Sequence, residues 1–145
     1  MKHTFLFQEG VWKVEGQYFG GLNNPIPLTG EIRIAHTVSK WLYDVSMQLL
    51  TQTPVEFQNL YEIVPFEEDG DTTSWKSYNP EIGRLYGRYM IVDDSILSMY
   101  QSEGGEYMGM EYMLMVNKKT YKARGYTLHG KVRASSWSAT FTKVE

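Results

Sequence analysis

The sequence predicts an all-β protein folded as a single antiparallel up-and-down β-barrel of about eight to ten strands. Three observations carry that expectation. Apolar and polar residues alternate with period two along several stretches, as on a sheet with one wet face. Turn residues recur between those stretches at the spacing of successive hairpins. The composition also joins 11 Tyr, 6 Phe and 4 Trp to 13 Gly, so residues that favour half-buried pleated surface stand beside residues that let it bend back.

The first element sets Trp12, Val14, Gly16 and Tyr18 against Lys13, Glu15 and Gln17. "NNPIP" (23–27) breaks the pattern, and "EIRIAH" resumes it up to His36. "TVSKWLYDVSMQLL" comes nearest to a helix, yet from Trp41 it alternates strictly, with Tyr43, Val45, Met47 and Leu49 against Asp44, Ser46 and Gln48. After "TQTP" (51–54) the next strand sets Phe57, Tyr61 and Ile63 against Glu56, Gln58 and Glu62. Further breaks fall at "EEDGDTT" (67–73), "YNPEIG" (78–83), "VDDS" (92–95), "SEGGE" (102–106), "NKKT" (117–120) and "LHGK" (128–131). Between the first two of these breaks and the next, "GRLYGRY" reads as a wall with Leu85, Gly87 and Tyr89 inside and Arg84 and Arg88 outside. No solenoid repeat or low-complexity tract interrupts the series, and one domain spanning 1–145 is expected.

Such strands can close or stack. Closure removes the exposed edges through which sheets aggregate. Gly16, Gly83, Gly87, Gly109 and Gly125 lie in or at the start of strand patterns, where glycine marks barrel corners, bulges or close backbone approach. A flattened sandwich with glycines at bulges is the alternative.

The formal net charge is −3 and no basic tract exists to track phosphates, so nucleic acid is not an expected partner. No apolar run approaches the roughly 18 residues of a membrane span and no leader pattern opens the chain. The absence of cysteine excludes disulfides and thiolate chemistry and fits a reducing compartment, so a cytoplasmic protein with no membrane partner is expected.

Gly10-Val11-Trp12, at the head of the first strand, resembles the Gly-x-Trp signature of lipocalins and the wider calycin group of barrels, which includes fatty-acid-binding proteins and nitrobindin-like haem proteins. The resemblance implies that Trp12 plugs one end of the barrel and that a basic residue of the last strand packs over its ring. "RASSWSATFTK" offers Arg133 and Lys143 on the parity of Trp137, Ala139 and Phe141. Gly10, Trp12 and Arg133 are the expected plug, joined by a cation–π contact of roughly 0.5–2 kcal/mol. Lacking cysteine and leader, the chain does not take over the extracellular role of secreted lipocalins.

A barrel of this size holds a side-chain core or one small ligand. Tyr18, Trp41, Tyr43, Met47, Tyr61, Tyr89 and Tyr112 are expected inside, as an apolar wall studded with hydroxyls that suits a small hydrophobic or aromatic molecule. No metal and no cofactor are expected, because the three histidines show no ligand spacing. His3 is expected in a solvated N-terminal arm. His129, at a hairpin tip, is the one position that matches the axial histidine of the haem-binding relatives. Glu111 interrupts "YMGMEYMLM"; the favoured reading puts it on the outer face opposite Arg124 or Lys122. Turned inward, Glu111 would join His129 as a candidate acid or base. The leading function is thus a non-catalytic carrier or sensor of a small ligand. Its rival is a small barrel enzyme of isomerase, cyclase or lyase type, and a third reading is a module whose outer face forms a homodimer.

Overall fold

The computed structural model describes residues 2–21 and 24–144; Asn23, where the first expected break begins, lies outside them. Ten strands follow one another: β1 (Gly10–Gly20), β2 (Ile26–His36), β3 (Trp41–Leu49), β4 (Val55–Ile63), β5 (Thr72–Asn79), β6 (Gly83–Val92), β7 (Ser95–Ser102), β8 (Tyr107–Asn117), β9 (Thr120–His129) and β10 (Val132–Lys143). Each pairs antiparallel with the next, and β10 returns to β1, closing an up-and-down barrel. The expected architecture is the one found, and none of the described residues is helical.

Parity builds the wall. Register runs Trp41 opposite His36 and Ile63, Tyr43 opposite Ile34 and Tyr61, and Met47 opposite Gly30 and Phe57, so one set of alternate residues faces inward on β2, β3 and β4. The other set meets water, where Lys13 and Glu15 pair at 2.9 Å and Glu62 holds Lys40 at 2.8 Å.

The N-terminal arm shuts one end. Phe5 and Leu6 are fully buried there with Trp12, Tyr121 and Phe141. Leu6 takes φ 72°, a conformation unfavourable for a bulky side chain, as the arm turns to bury both residues. His3 is not solvated as expected: its ring nitrogens lie 2.8 Å from the Tyr121 hydroxyl and 2.8 Å from the Asp93 carbonyl. The arm therefore carries its own hydrogen bonds into the barrel end.

The other end is open. Along the inward positions of β4 exposure rises from 1% at Ile63 to 38% at Phe57 and 50% at Val55. Here β4 has also left β5, because their pairing covers only Tyr61–Ile63 against Trp75–Ser77. Two hydroxyls extend this seam, Thr73 donating to the Val64 carbonyl at 2.6 Å and Ser77 to the Leu60 carbonyl at 2.8 Å. Beside it Leu60, Tyr78 and Arg84 border a cleft of about 480 Å³.

Two irregularities shift the register. One lies between Met115 and Asn117 on β8, the other between Arg133 and Ser135 on β10. Each inserts one residue and reverses the parity beyond it.

Candidate functional site

Three strands thin the wall in the same way. Gly87 lies opposite Trp75, Gly109 opposite Tyr100 and Gly125 opposite Trp137. A methyl group on any of these glycines would land on the facing ring, so each glycine is the seat of an aromatic side chain. Tyr100 is held further by a 2.6 Å hydrogen bond between its hydroxyl and that of Thr127. Trp75 donates its indole N–H to Ser98 at 3.0 Å.

Glu111 stands among these rings. Its register partners are Ser98 on β7 and Gly125 on β9, both inward positions, so the carboxyl faces the lumen. The outer-face pairing expected with Arg124 or Lys122 does not occur. The bulge on β8 is the reason, since it places Glu111 opposite Gly125 and hands the outward position to Tyr112. Burial pushes the Glu111 carboxyl up to about 7, and no hydrogen bond or cation acts on it among the described residues. Glu111 is half-buried, and the shift is a desolvation effect, as for an acid that loses much of its water without gaining a partner.

Four tyrosines surround it. Burial first, and the charge of Glu111 second, raise the hydroxyls of Tyr43, Tyr61, Tyr89 and Tyr100, the last to about 12. They remain neutral donors at physiological pH. Tyr43 and Tyr61 pack with ring centroids 4.8 Å apart, and Tyr61 packs on Trp75 at the same spacing. The Tyr89 hydroxyl is buried with no hydrogen-bond partner among the described residues, an arrangement that native interiors seldom leave.

The expected wall residues separate accordingly. Tyr43, Tyr61 and Tyr89 meet around Glu111. Tyr18 lies nearer the open end, opposite Trp137 and Ile26, and Met47 lies opposite Gly30; both are half-buried on the inward parity. Trp41 belongs to another cluster, stacked on His36 at 4.3 Å and packed edge-on against Phe7 at 5.4 Å. Tyr112 points outward, opposite Leu97 and Arg124, and is a correction: the residue inside is its neighbour Glu111.

The plug also needs correcting. Trp12 is fully buried at the closed end, two residues beyond Gly10, which opens β1. The ring above it is not a cation's but those of Phe5 and Tyr121, at 5.3 and 5.5 Å, both edge-on. Arg133 sits at the opposite end of β10, its parity reversed by the second bulge, and donates to the Ser136 hydroxyl at 2.8 Å and to the Gly21 carbonyl. Lys143 is the register partner of Trp12 but donates to Gln8 at 3.1 Å.

His129 lies at the open rim, stacked on Tyr107 at 4.5 Å and paired with Glu106 at 2.8 Å. Tyr107 is four residues from Glu111 along β8, about 13 Å at the strand rise, so the two candidate acid/base residues are not brought together. Trp75, Tyr100 and Trp137 are lumen residues that the sequence reading did not select. The glycine across from each is the signal that could have found them.

No family model and no curated protein matches the chain. Among solved structures it is similar to the S-type phycobiliprotein lyase CPES from Guillardia theta, with a TM-score of 0.68 and 8% identity over 97% of this chain and 91% of that one. At that identity the likeness is one of fold, and the chain shares with that lyase the architecture of its barrel.

Proposed function

We propose that this lipocalin-like barrel binds a small, extended aromatic molecule in its lumen, entering from the open end, and that Glu111 recognises an N–H or cationic group on it. The observation that carries the reading is the Glu111 carboxyl, turned into an aromatic lumen with no partner among the described residues. A buried carboxylate is tolerated once it is paired and hydrogen-bonded, and a ligand donor would supply both. The tyrosine hydroxyls add donors and the seated rings of Trp75, Tyr100 and Trp137 offer stacking faces. The similarity in fold to a phycobiliprotein lyase makes a conjugated, pigment-like molecule the class to try first.

The test is a spectroscopic titration with biliverdin, whose pyrrole nitrogens carry donors, beside a neutral apolar dye. Wild-type protein should bind biliverdin near one-to-one, and Glu111→Gln should weaken biliverdin about tenfold or more while sparing the dye, the loss expected of one charge-assisted hydrogen bond. Shrinking Tyr43 or Met47 should change binding, whereas enlarging Leu42, on the outward parity, should not. Equal binding by wild type and Glu111→Gln would refute the role of the carboxyl; indifference to Tyr43 and Met47 would refute binding in the lumen.

One observation favours a second reading. An acid pushed up to about 7 is poised to exchange a proton near neutral pH, so the protein would act on its ligand as a lyase or isomerase with Glu111 as acid or base. A change in ligand spectrum that develops after binding, and that Glu111→Gln abolishes, would distinguish it from a carrier.

A further inference from the structure

The barrel's outer face is of two kinds. On β1 to β4 the outward positions are those of a wetted sheet, with Lys13, Glu15, Glu31, Arg33, Asp44, Glu56 and Glu62 among them. On β6 to β8 apolar residues also reach the outer face. Met90, Leu97, Met99, Met108 and Met110 point outward and line an open groove of about 880 Å³. Met99 is 64% exposed. A contiguous apolar patch rimmed by polar groups marks an interaction surface, and methionine supplies an adaptable one.

Charge is segregated in the same way. Lys40, Lys76 and Arg88 line the groove, Arg88 opposite Met99, with Glu62 beside them and Arg84 two residues along β6 from Tyr86; on the β9 side Met108 and Met110 face Leu128 and Tyr126. No Asp or Glu occupies an outward position of β5 to β9; apart from Glu111 in the lumen, the carboxylates of this half lie in the turns between strands. Two of the cations have partners, Lys40 and Lys76 on Glu62 at 2.8 and 3.7 Å. Arg84 and Arg88 form no ion pair among the described residues.

We propose that this groove docks an acidic amphipathic helix of a protein partner. The methionine floor of the groove, on strands β6 to β8, spans two strand spacings of about 4.8 Å, roughly 10 Å, the diameter of a helix, and its edge continues onto β5 and β4 at Lys76 and Glu62. Apolar side chains of the helix would settle among the methionines while its carboxylates meet the flanking cations, the helix-in-groove mode of recognition. A two-fold pairing of copies through this face would oppose cation to cation. A bilayer does not suit it either, because the apolar residues line a concavity. The inference stands whatever the lumen binds.

The test uses the whole protein and a fluorescently labelled synthetic amphipathic helix of leucine and glutamate, with a leucine–lysine counterpart and phosphatidylcholine–phosphatidylglycerol vesicles as competitors for the assignment. The acidic helix should bind with a dissociation constant of about 10–100 μM, weakening with added salt. Met99→Glu and Arg88→Glu should each weaken it about tenfold, with melting temperature and far-UV circular dichroism unchanged, while Lys13→Glu on the opposite face should have no effect. Preference for the lysine peptide, binding to the vesicles instead, self-association that Met99→Glu abolishes, or no binding of the acidic helix would each overturn the proposal.

Discussion

Replacing Glu111 by Gln should stabilise the barrel, and the gain should depend on pH in a direction fixed by the buried carboxyl. In the folded chain that group titrates at about 7, against 4.5 for an ordinary glutamate. Below 4.5 both folded and unfolded chains carry the proton and the full stability is present. Between the two values the unfolded chain has released the proton while the native chain still holds it, so stability falls as pH rises. At 1.36 kcal/mol per unit the loss approaches about 3 kcal/mol by pH 8. Glutamine mimics the protonated acid and escapes the loss. Urea denaturation of both proteins at pH 4, 6 and 8 reads the difference directly, and subtraction removes every other titrating group. Wild type and variant should agree within about 0.5 kcal/mol at pH 4 and differ by about 3 kcal/mol, the variant being more stable, at pH 8. A difference that stays flat with pH, or a variant less stable at pH 8, would refute the reasoning, because the carboxylate would then have a partner in the folded chain.

Other substitutions test the walls and the plug. Gly109→Ala puts a methyl group on the Tyr100 ring and should lower stability by about 1–3 kcal/mol; an unchanged melting temperature would mean that the ring is not seated there. Trp12→Ala should lower stability by about 3–5 kcal/mol, whereas Arg133→Ala, at the far end of the barrel, should stay within about 0.5 kcal/mol of wild type. Thermal denaturation of the pair decides whether the plug rests on Phe5 and Tyr121 or on the arginine.

The sequence made the barrel legible where the two parities differ in chemistry. Lys13, Glu15 and Gln17 against Trp12, Val14 and Gly16 leave one assignment of inside and outside, and so do Arg84 and Arg88 against Leu85, Gly87 and Tyr89. In "YMGMEYMLM" both parities are apolar, and alternation carries no information. Parity must then be passed back from β9, where Lys122 and Arg124 plainly face water. A plain two-residue turn, with Asn117 opposite Thr120, would put Glu111 opposite Tyr126 on the outside. The bulge between Met115 and Asn117 moves it to Gly125 and the inside. Nothing in local composition announces that extra residue, and the same holds for the bulge that turns Arg133 away from the parity of Trp137. The β8 bulge accounts for Glu111 and Tyr112 together, whereas Arg133 fails to cover Trp12 because it lies at the far end of β10, where Trp12 pairs with Lys143 instead. The plug was misread in its covering too, since contacts between Trp12 and the N-terminal arm depend on a chain turn at Leu6 that no periodicity signals.

The seam between β4 and β5, with its three residue pairs and two bridging hydroxyls, bears on kinetics. Ladders of seven to ten pairs elsewhere must break together for a strand to separate, whereas here a short stretch can part while the rest of the barrel stays folded. Exchange between lumen and solvent is thereby uncoupled from global unfolding. A molecule lodged beside Tyr61 and Trp75 and passing the open end would have a wider exit whenever this seam parts, so its residence time would shorten on loss of the Ser77 or Thr73 hydroxyl. Its equilibrium contacts, made by other residues, would be left as they are.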